Sequence, residues 1–444
     1  MTCICCSRPA NEKVAHLGVN SLHGEKDMSF SGNTFSTTQY ILDETFVRFI
    51  NYLNFAKVAN RNLEGDFKGL KYATGQTINY RLEERYLGGF GATATSEARV
   101  QVVRPLTIDT QFHTMVEFTG FELTFDRARD QPYLDMMLNP RAKRLANMVE
   151  QFIGQNNFQV DTYQYYGNPG VAITANTVFQ TDAYMTQLGI PEDGNRYWAN
   201  QPAVSATLTN ALYTVFNMTV NRGALLDGFI GHLSGFDFFK TNFLVRQIAG
   251  TPGATGGTPP TGFVAAGVVT NGPITGGNTI IVSGLTPNAV AFNKGDLITI
   301  DASSGVFMIN PLTYTSLPET AQFVVVNQVT ADGSGNGTIT VNPTIQISGA
   351  RQNISAAIPN GAQLYVATSH NVSIAFHNQA IVFAAPPIKE LKGGVEAVTS
   401  YSDLYKMAMT YSLGADIRNY VQLDRIDIIA GVAINPEFAV RVIS

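Results

Sequence analysis

The sequence predicts an α+β fold carrying an inserted all-β domain, and three observations support it. The stretch from 130 to 158, DQPYLDMMLNPRAKRLANMVEQFIGQNNF, repeats apolar residues at helical spacing. Composition changes sharply across residues 249–369. Lys294, Asp296, Asp301, Glu319, Asp332 and Arg351 are the only charged side chains there, and short β-rich runs recur between turn signals. Beyond that region the earlier style resumes, with strand-like runs NVSIAFHNQAIVFAAPPI from Asn371 and RIDIIAGVAINPEFAVRVIS at the end.

Residues 1–27 read as a disordered leader, and Met28 begins a stretch that reads as a natural start. Ser-, Thr-, Gly- and Asn-rich residues 30–38 suit an extended arm. The next pattern, 41–58, predicts a helix with Leu42, Phe46, Phe49, Ile50 and Leu53 on one face. Ile78, Tyr80 and Leu82 alternate with Thr77, Asn79 and Arg81, which predicts a strand, and a return strand is expected at 99–103. Between them lies a tip with Gly88, Gly89 and Gly91 and little to bury. Its GGFGA has no helix pattern behind it, so it is not a phosphate-binding loop. A mobile two-stranded hairpin of this kind is marginal in water and gains stability from a neighbour. After Val116 and Phe118 the apolar set shifts to Phe121, Leu123 and Phe125, which predicts a bulge at Thr119 and Gly120.

In the 130–158 stretch Asn139 suits a helix cap and Pro140 the first helical position, while Pro132 offers an earlier opening turn that would make one long kinked rod. Ala142, Leu145, Ala146, Val149, Phe152 and Ile153 share one face. Arg141, Lys143, Arg144, Asn147 and Glu150 occupy the other. The expected packing contacts of this rod are Leu145, Val149, Phe152 and Ile153. Residues 161–198 read as irregular. A helix follows at 206–220, with Leu208, Leu212, Val215, Phe216 and Val220, then a strand at 225–233 and a short helix capped by Ser234 over Phe236, Phe238 and Phe239. In the insert, TIIVSG, DLITID, QFVVVNQV, GTITVNP and AQLYVAT imply a small β-barrel or sandwich, with DGSGNG at 332–337 as a hairpin turn and only a weak calcium-ligand set.

Several functions are excluded by composition. Lys plus Arg number 29 against 34 Asp plus Glu, a net charge of −5, so binding driven by phosphate contacts is not expected. No apolar run approaches the roughly 20 residues that span a bilayer. Cys3, Cys5 and Cys6 are the only cysteines, and with His16 they fit no standard zinc spacing. The histidines, His16, His23, His113, His232, His370 and His377, form no metal or catalytic motif, and Glu83 with Glu84 reads as a charged strand end. His377, opening an apolar run, reads as a satisfied core or capping histidine. No catalytic residue, cofactor site or metal site is expected.

Set in this order, the pieces resemble tailed-phage major capsid proteins of the Hong Kong 97-type fold, and more narrowly the P-twenty-two-type coat family. The stretches that carry the resemblance are ILDETFVRFINYLNFAKVANRNLEGDF with GQTINYRLEERY, AKRLANMVEQ, FHNQAIVFAAPPI and RIDIIAGVAINPEFAVRV, with KGDLITID and QFVVVNQV resembling that family's inserted barrel. Their order is specific, and they cover most of 36–444. The resemblance implies an N-arm at 28–60, an E-loop hairpin at 74–105 lying over an adjacent subunit, and a peripheral domain at 106–200 that includes a spine helix at 130–158. It implies an axial domain from 201–252 with 370–430, an inserted β-barrel at 253–369 and a C-terminal strand at 431–444. Arg85, Tyr86, Leu87, Phe90 and Glu97 would make the intersubunit contacts of the E-loop. The implied function is an icosahedral shell, built of hexamers and pentamers of this chain, around double-stranded DNA held by weak non-specific contact. Scaffolding, portal and decoration proteins would be further partners, the virion the location and the host cytoplasm the place of assembly. In that family a charged loop of the insert bridges capsomers; the comparable segment here, 262–278, has no charge, which argues against such salt bridges. A second reading, a secreted or surface adhesin with a carbohydrate-binding β-domain, requires an export signal that residues 1–27 do not show.

Overall fold

Three-and-four spacing puts Leu42, Phe46, Phe49, Ile50 and Leu53 on one side of the chain, and in the computed structural model all five are buried. The structure describes residues 37–61, 77–89, 91, 96–97, 99, 101–119, 131–215, 231–391, 393–402 and 404–444. The leader, the arm before Thr37, Phe90, the bulge residue Gly120, Phe121, Leu123 and Phe125, and residues 216–230 lie outside them. The first helix, Thr37–Asn51, is followed by a short one, Phe55–Val58, in place of a single helix to 58.

The long helix starts earlier than a cap at Asn139 would allow. It spans Gln131–Gln151, so Pro140 lies inside it, on the exposed side. A proline within a helix costs about 3 kcal/mol locally. Here packing against the first helix outweighs that preference, as tertiary burial commonly does. Asn139 is not a cap; its Oδ1 accepts a hydrogen bond from Arg48 Nη1 at 3.0 Å. The helix continues through a wider, π-helical stretch, Phe152–Phe158.

Two sheets lie beside this helix pair. One is six-stranded, in the order Tyr165–Gly167, Ala439–Ile443, Val372–His377, Arg196–Asn200, Phe236–Lys240, His232–Leu233. The other is built on the long strand Val421–Ile434, which pairs with Thr110–Thr119, Met407–Asp416 and Ile381–Ala384. Val395–Ser402 forms its edge. Strand pairing therefore crosses the boundary drawn between 106–200 and 370–430. The two sheets and the helices share one core, centred on Phe376, whose ring meets Phe158 at 5.0 Å, Tyr197 at 5.8 Å and Phe55 at 6.1 Å.

Residues 236–240, expected as a short helix, are a strand parallel to Arg196–Asn200. Phe236 and Phe238 alternate with the exposed Asp237, a period of two that propensity alone did not reveal. Ser234 caps no helix; at φ 50° it joins Gly235 at φ 76° in the turn before that strand. The stretch 161–198, expected as irregular, contains the helix Ala175–Gln187. Thr174 caps it through its side chain, and Thr177 returns the bond to the cap backbone.

The insert closes into a six-stranded barrel, which resolves the choice between barrel and sandwich. Around the ring run Leu297–Ile300, Gln322–Val325, Gly337–Gln346, Gly276–Ser283, Phe263–Val269 and Gln363–Ala367. Ile280, Ile298, Phe323, Ile339 and Val366 fill it and are fully buried. Asp332 makes a turn, its Oδ1 accepting the backbone N–H groups of Ser334 and Asn336 at 2.8 Å each, but the expected hairpin is not formed: the flanking strands Val329–Thr330 and Gly337–Gln346 pair with other strands.

Candidate intersubunit surface

Thr77–Arg81 and Val103–Thr107 form a separate two-stranded ribbon, in register from Thr77 opposite Thr107 to Arg81 opposite Val103. The return strand thus lies beyond the expected 99–103. At the ribbon's base Leu106 is fully buried beside Ile108, Val382 and Ile429. Farther out the burial ends. Tyr86 is 55% exposed and Leu87 48%. Glu97 shapes the end of the ribbon, its carboxylate accepting the backbone N–H groups of Leu87 at 2.9 Å and Gly88 at 2.7 Å. Arg99 grips Glu84, which holds that carboxyl below its ordinary pKa, and Tyr86 donates its hydroxyl to the same carboxylate at 2.6 Å. Arg85 turns back to the body, with Nη2 2.9 Å from Glu437 Oε2. Of the expected contact residues, Tyr86, Leu87 and Glu97 are thus outward-facing, Arg85 is engaged within the chain, and Phe90 is outside the described residues.

On the long helix, Leu145, Val149 and Ile153 are fully buried, and Phe152, half-buried, packs its ring 5.5 Å from Phe112. The face expected to be polar is buried at two places. Arg141 is buried and makes a two-pronged pair with Asp424, at 2.7 and 2.9 Å. Glu150 is fully buried and accepts the N–H groups of Phe55 at 2.8 Å and Ala56 at 3.0 Å, which open the short second helix. Burial raises its pKa to about 7, against the pull of those N–H groups. Helical periodicity assigns sides but not partners. Asp424 lies far along the sequence, and no local signal announces it.

Two histidines among the described residues pair with carboxylates: exposed His232 with Asp237, at 2.9 Å, and His377 with Asp193. His377 is buried with Nε2 2.9 Å from Asp193, and its Nδ1 accepts from Gln379 N, so it caps the turn Asn378–Ala380. His370 borders a cleft of about 440 Å³. Burial lowers its pKa to about 4, and its Nδ1 lies 2.7 Å from the Thr368 carbonyl, so it is a neutral donor at pH 7. Among the described residues no group of three His, Cys, Asp or Glu is placed to hold a metal. No helix among them is long and apolar enough to cross a membrane.

The described residues thus form a helix-and-sheet body with a closed barrel inserted in it and a separate two-stranded ribbon. Residues 106–442, about three quarters of the chain, match the family described as P22 coat protein, gene protein 5. The chain belongs to the P22 coat protein family: it is a major capsid protein, found in the virion, that self-assembles into the phage shell. Its fold class is α+β with an inserted closed barrel. The adhesin reading gives way to this assignment. No curated protein matches the chain. Similar solved structures include one from Mycobacterium phage Che8, at 12% identity and TM-score 0.42, covering 95% of this chain and 97% of that one. The capsid of Ralstonia phage GP4 gives 8% identity and TM-score 0.41, covering 98% of each chain. The capsid of cyanophage P-SCSP1u gives 12% and 0.40, covering 98% and 99%. At such TM-scores the likeness adds no weight, and the assignment rests on the family match.

Proposed function

We propose that the ribbon at 77–107 is the chief assembly element, laid over a neighbouring copy so that its outer residues are buried there. Tyr86, Leu87 and Glu97 then contact the neighbour, together with Phe90. The exposure of Tyr86 and Leu87 on a two-stranded ribbon is the observation that carries this reading, because such a ribbon lacks enough apolar surface of its own. Hexamers and pentamers built this way make an icosahedral shell. With a net charge of −5 the subunit tolerates packaged double-stranded DNA by weak, non-specific contact and does not grip it. Scaffolding, portal and decoration proteins are the further partners, and assembly takes place in the host cytoplasm. The chain does this by packing alone, without catalysis. Deleting residues 85–98 tests the reading. Purified subunits should keep their thermal unfolding transition yet form no particles by electron microscopy, and normal particles would refute it.

A further inference from the structure

The insert has few charges, and two of them reach across its seams. Asp296 takes the incoming linker: its carboxylate accepts Gln247 Nε2 at 2.9 Å and the backbone N–H of Gly250 at 2.9 Å. Arg351, the insert's only arginine, reaches instead toward the ribbon. Its Nη1 lies 3.2 Å from Glu437 Oε1 and its Nη2 donates to the Glu83 carbonyl at 2.5 Å. The other oxygen of Glu437 holds Arg85 of the ribbon. One carboxylate thus ties the ribbon and the barrel to the turn Pro436–Phe438 just before the last strand. Tyr314 adds a second tie, its hydroxyl lying 3.0 Å from the Ala350 carbonyl and 3.3 Å from that of Tyr86. Tyr314 stands at φ 54°, a conformation unusual for a side-chain-bearing residue, in a turn where Asn310 Oδ1 accepts the N–H of Leu312. Arg85, Tyr314 and Glu437 border a cleft of about 290 Å³ between ribbon, body and barrel.

We propose that the inserted barrel acts as a strut for the ribbon of its own subunit, with Arg351, Glu437 and Arg85 as positioning residues that set the direction in which the ribbon leaves the body. The side chains are 11%, 24% and 29% exposed, so the ion pairs are partly shielded from water and directional. A strut within the subunit also gives the barrel a role in assembly that needs no charged loop between capsomers, consistent with the uncharged 262–278. The inference rests on the ribbon's being an assembly element, and its test separates the two claims.

The test compares full-length wild type with Arg351→Ala, and with Tyr314→Phe as a milder variant that keeps the turn. Hydrogen exchange of the unassembled subunit is read at 82–88 and at the barrel strand Leu297–Ile300. In Arg351→Ala, exchange at 82–88 should rise about tenfold, as for losing one charge-assisted hydrogen bond, while the barrel strand is unchanged. Tyr314→Phe should give a smaller rise in the same place. Particles from Arg351→Ala should be fewer and irregular in diameter. Unchanged exchange at 82–88 in both variants would overturn the strut, whatever the deletion of 85–98 does. Raised exchange with wild-type particles would overturn its role in assembly. Should Arg351→Ala fail to fold, Tyr314→Phe decides on the same two readouts.

Discussion

The barrel and the ribbon are both made of antiparallel strands, and they differ in whether the chain itself completes them. Each barrel strand is paired on both sides, and the side chains it encloses, such as Phe323 and Ile339, are fully buried. The ribbon has two strands, one pairing interface and an outer end bearing exposed Tyr86 and Leu87. An edge left open in this way is a place for another chain to add. The difference teaches that composition of strands does not decide independence; closure does.

Substitutions on the two sides should therefore separate stability from assembly. In the barrel, Phe323→Ala removes a fully buried ring and should destabilise the subunit by about 3–5 kcal/mol in denaturant unfolding. A similar loss is expected in the body for Arg141→Ala, which strands the buried Asp424 and should cost about 3–5 kcal/mol, while a double apolar replacement should recover much of it. A slightly smaller effect should appear at Glu150, and only through pH. Its pKa is raised by burial from 4.5 to about 7, so the folded state holds the proton more tightly than the unfolded one. Its contribution is complete below pH 4.5 and is lost as pH rises through 7, a slope worth about 3 kcal/mol in all. Glu150→Gln should flatten that slope in unfolding curves measured across the same window. On the ribbon, Leu87→Ala should change subunit stability least of all and still slow particle formation measured by light scattering. A large loss of stability there would erase the contrast.

Much of this was legible beforehand. The buried stripe of the long helix followed from spacing, and the barrel from recurrent short runs between turns. Residues whose role depends on a distant partner were not legible. Arg141 and Glu150 look like solvent-facing charges because periodicity ranks them by side, while Asp424 and the N–H groups of Phe55 and Ala56 make their burial tolerable. Phe236, Phe238 and Phe239 fit either period over so short a run, and only the neighbouring strand Arg196–Asn200 decides it. Arg351 could be noticed as the lone arginine of a nearly uncharged region, but nothing local points to Glu437.

Hydrogen exchange on free subunits and on assembled particles of the wild-type chain would probe the contrast at its root. Amides at 82–88 should exchange faster in the free subunit than in the particle, while the strand Leu297–Ile300 is protected equally in both. Equal protection of 82–88 before and after assembly would mean that the ribbon is already complete on its own body, and the reading of it as an intersubunit element would fall.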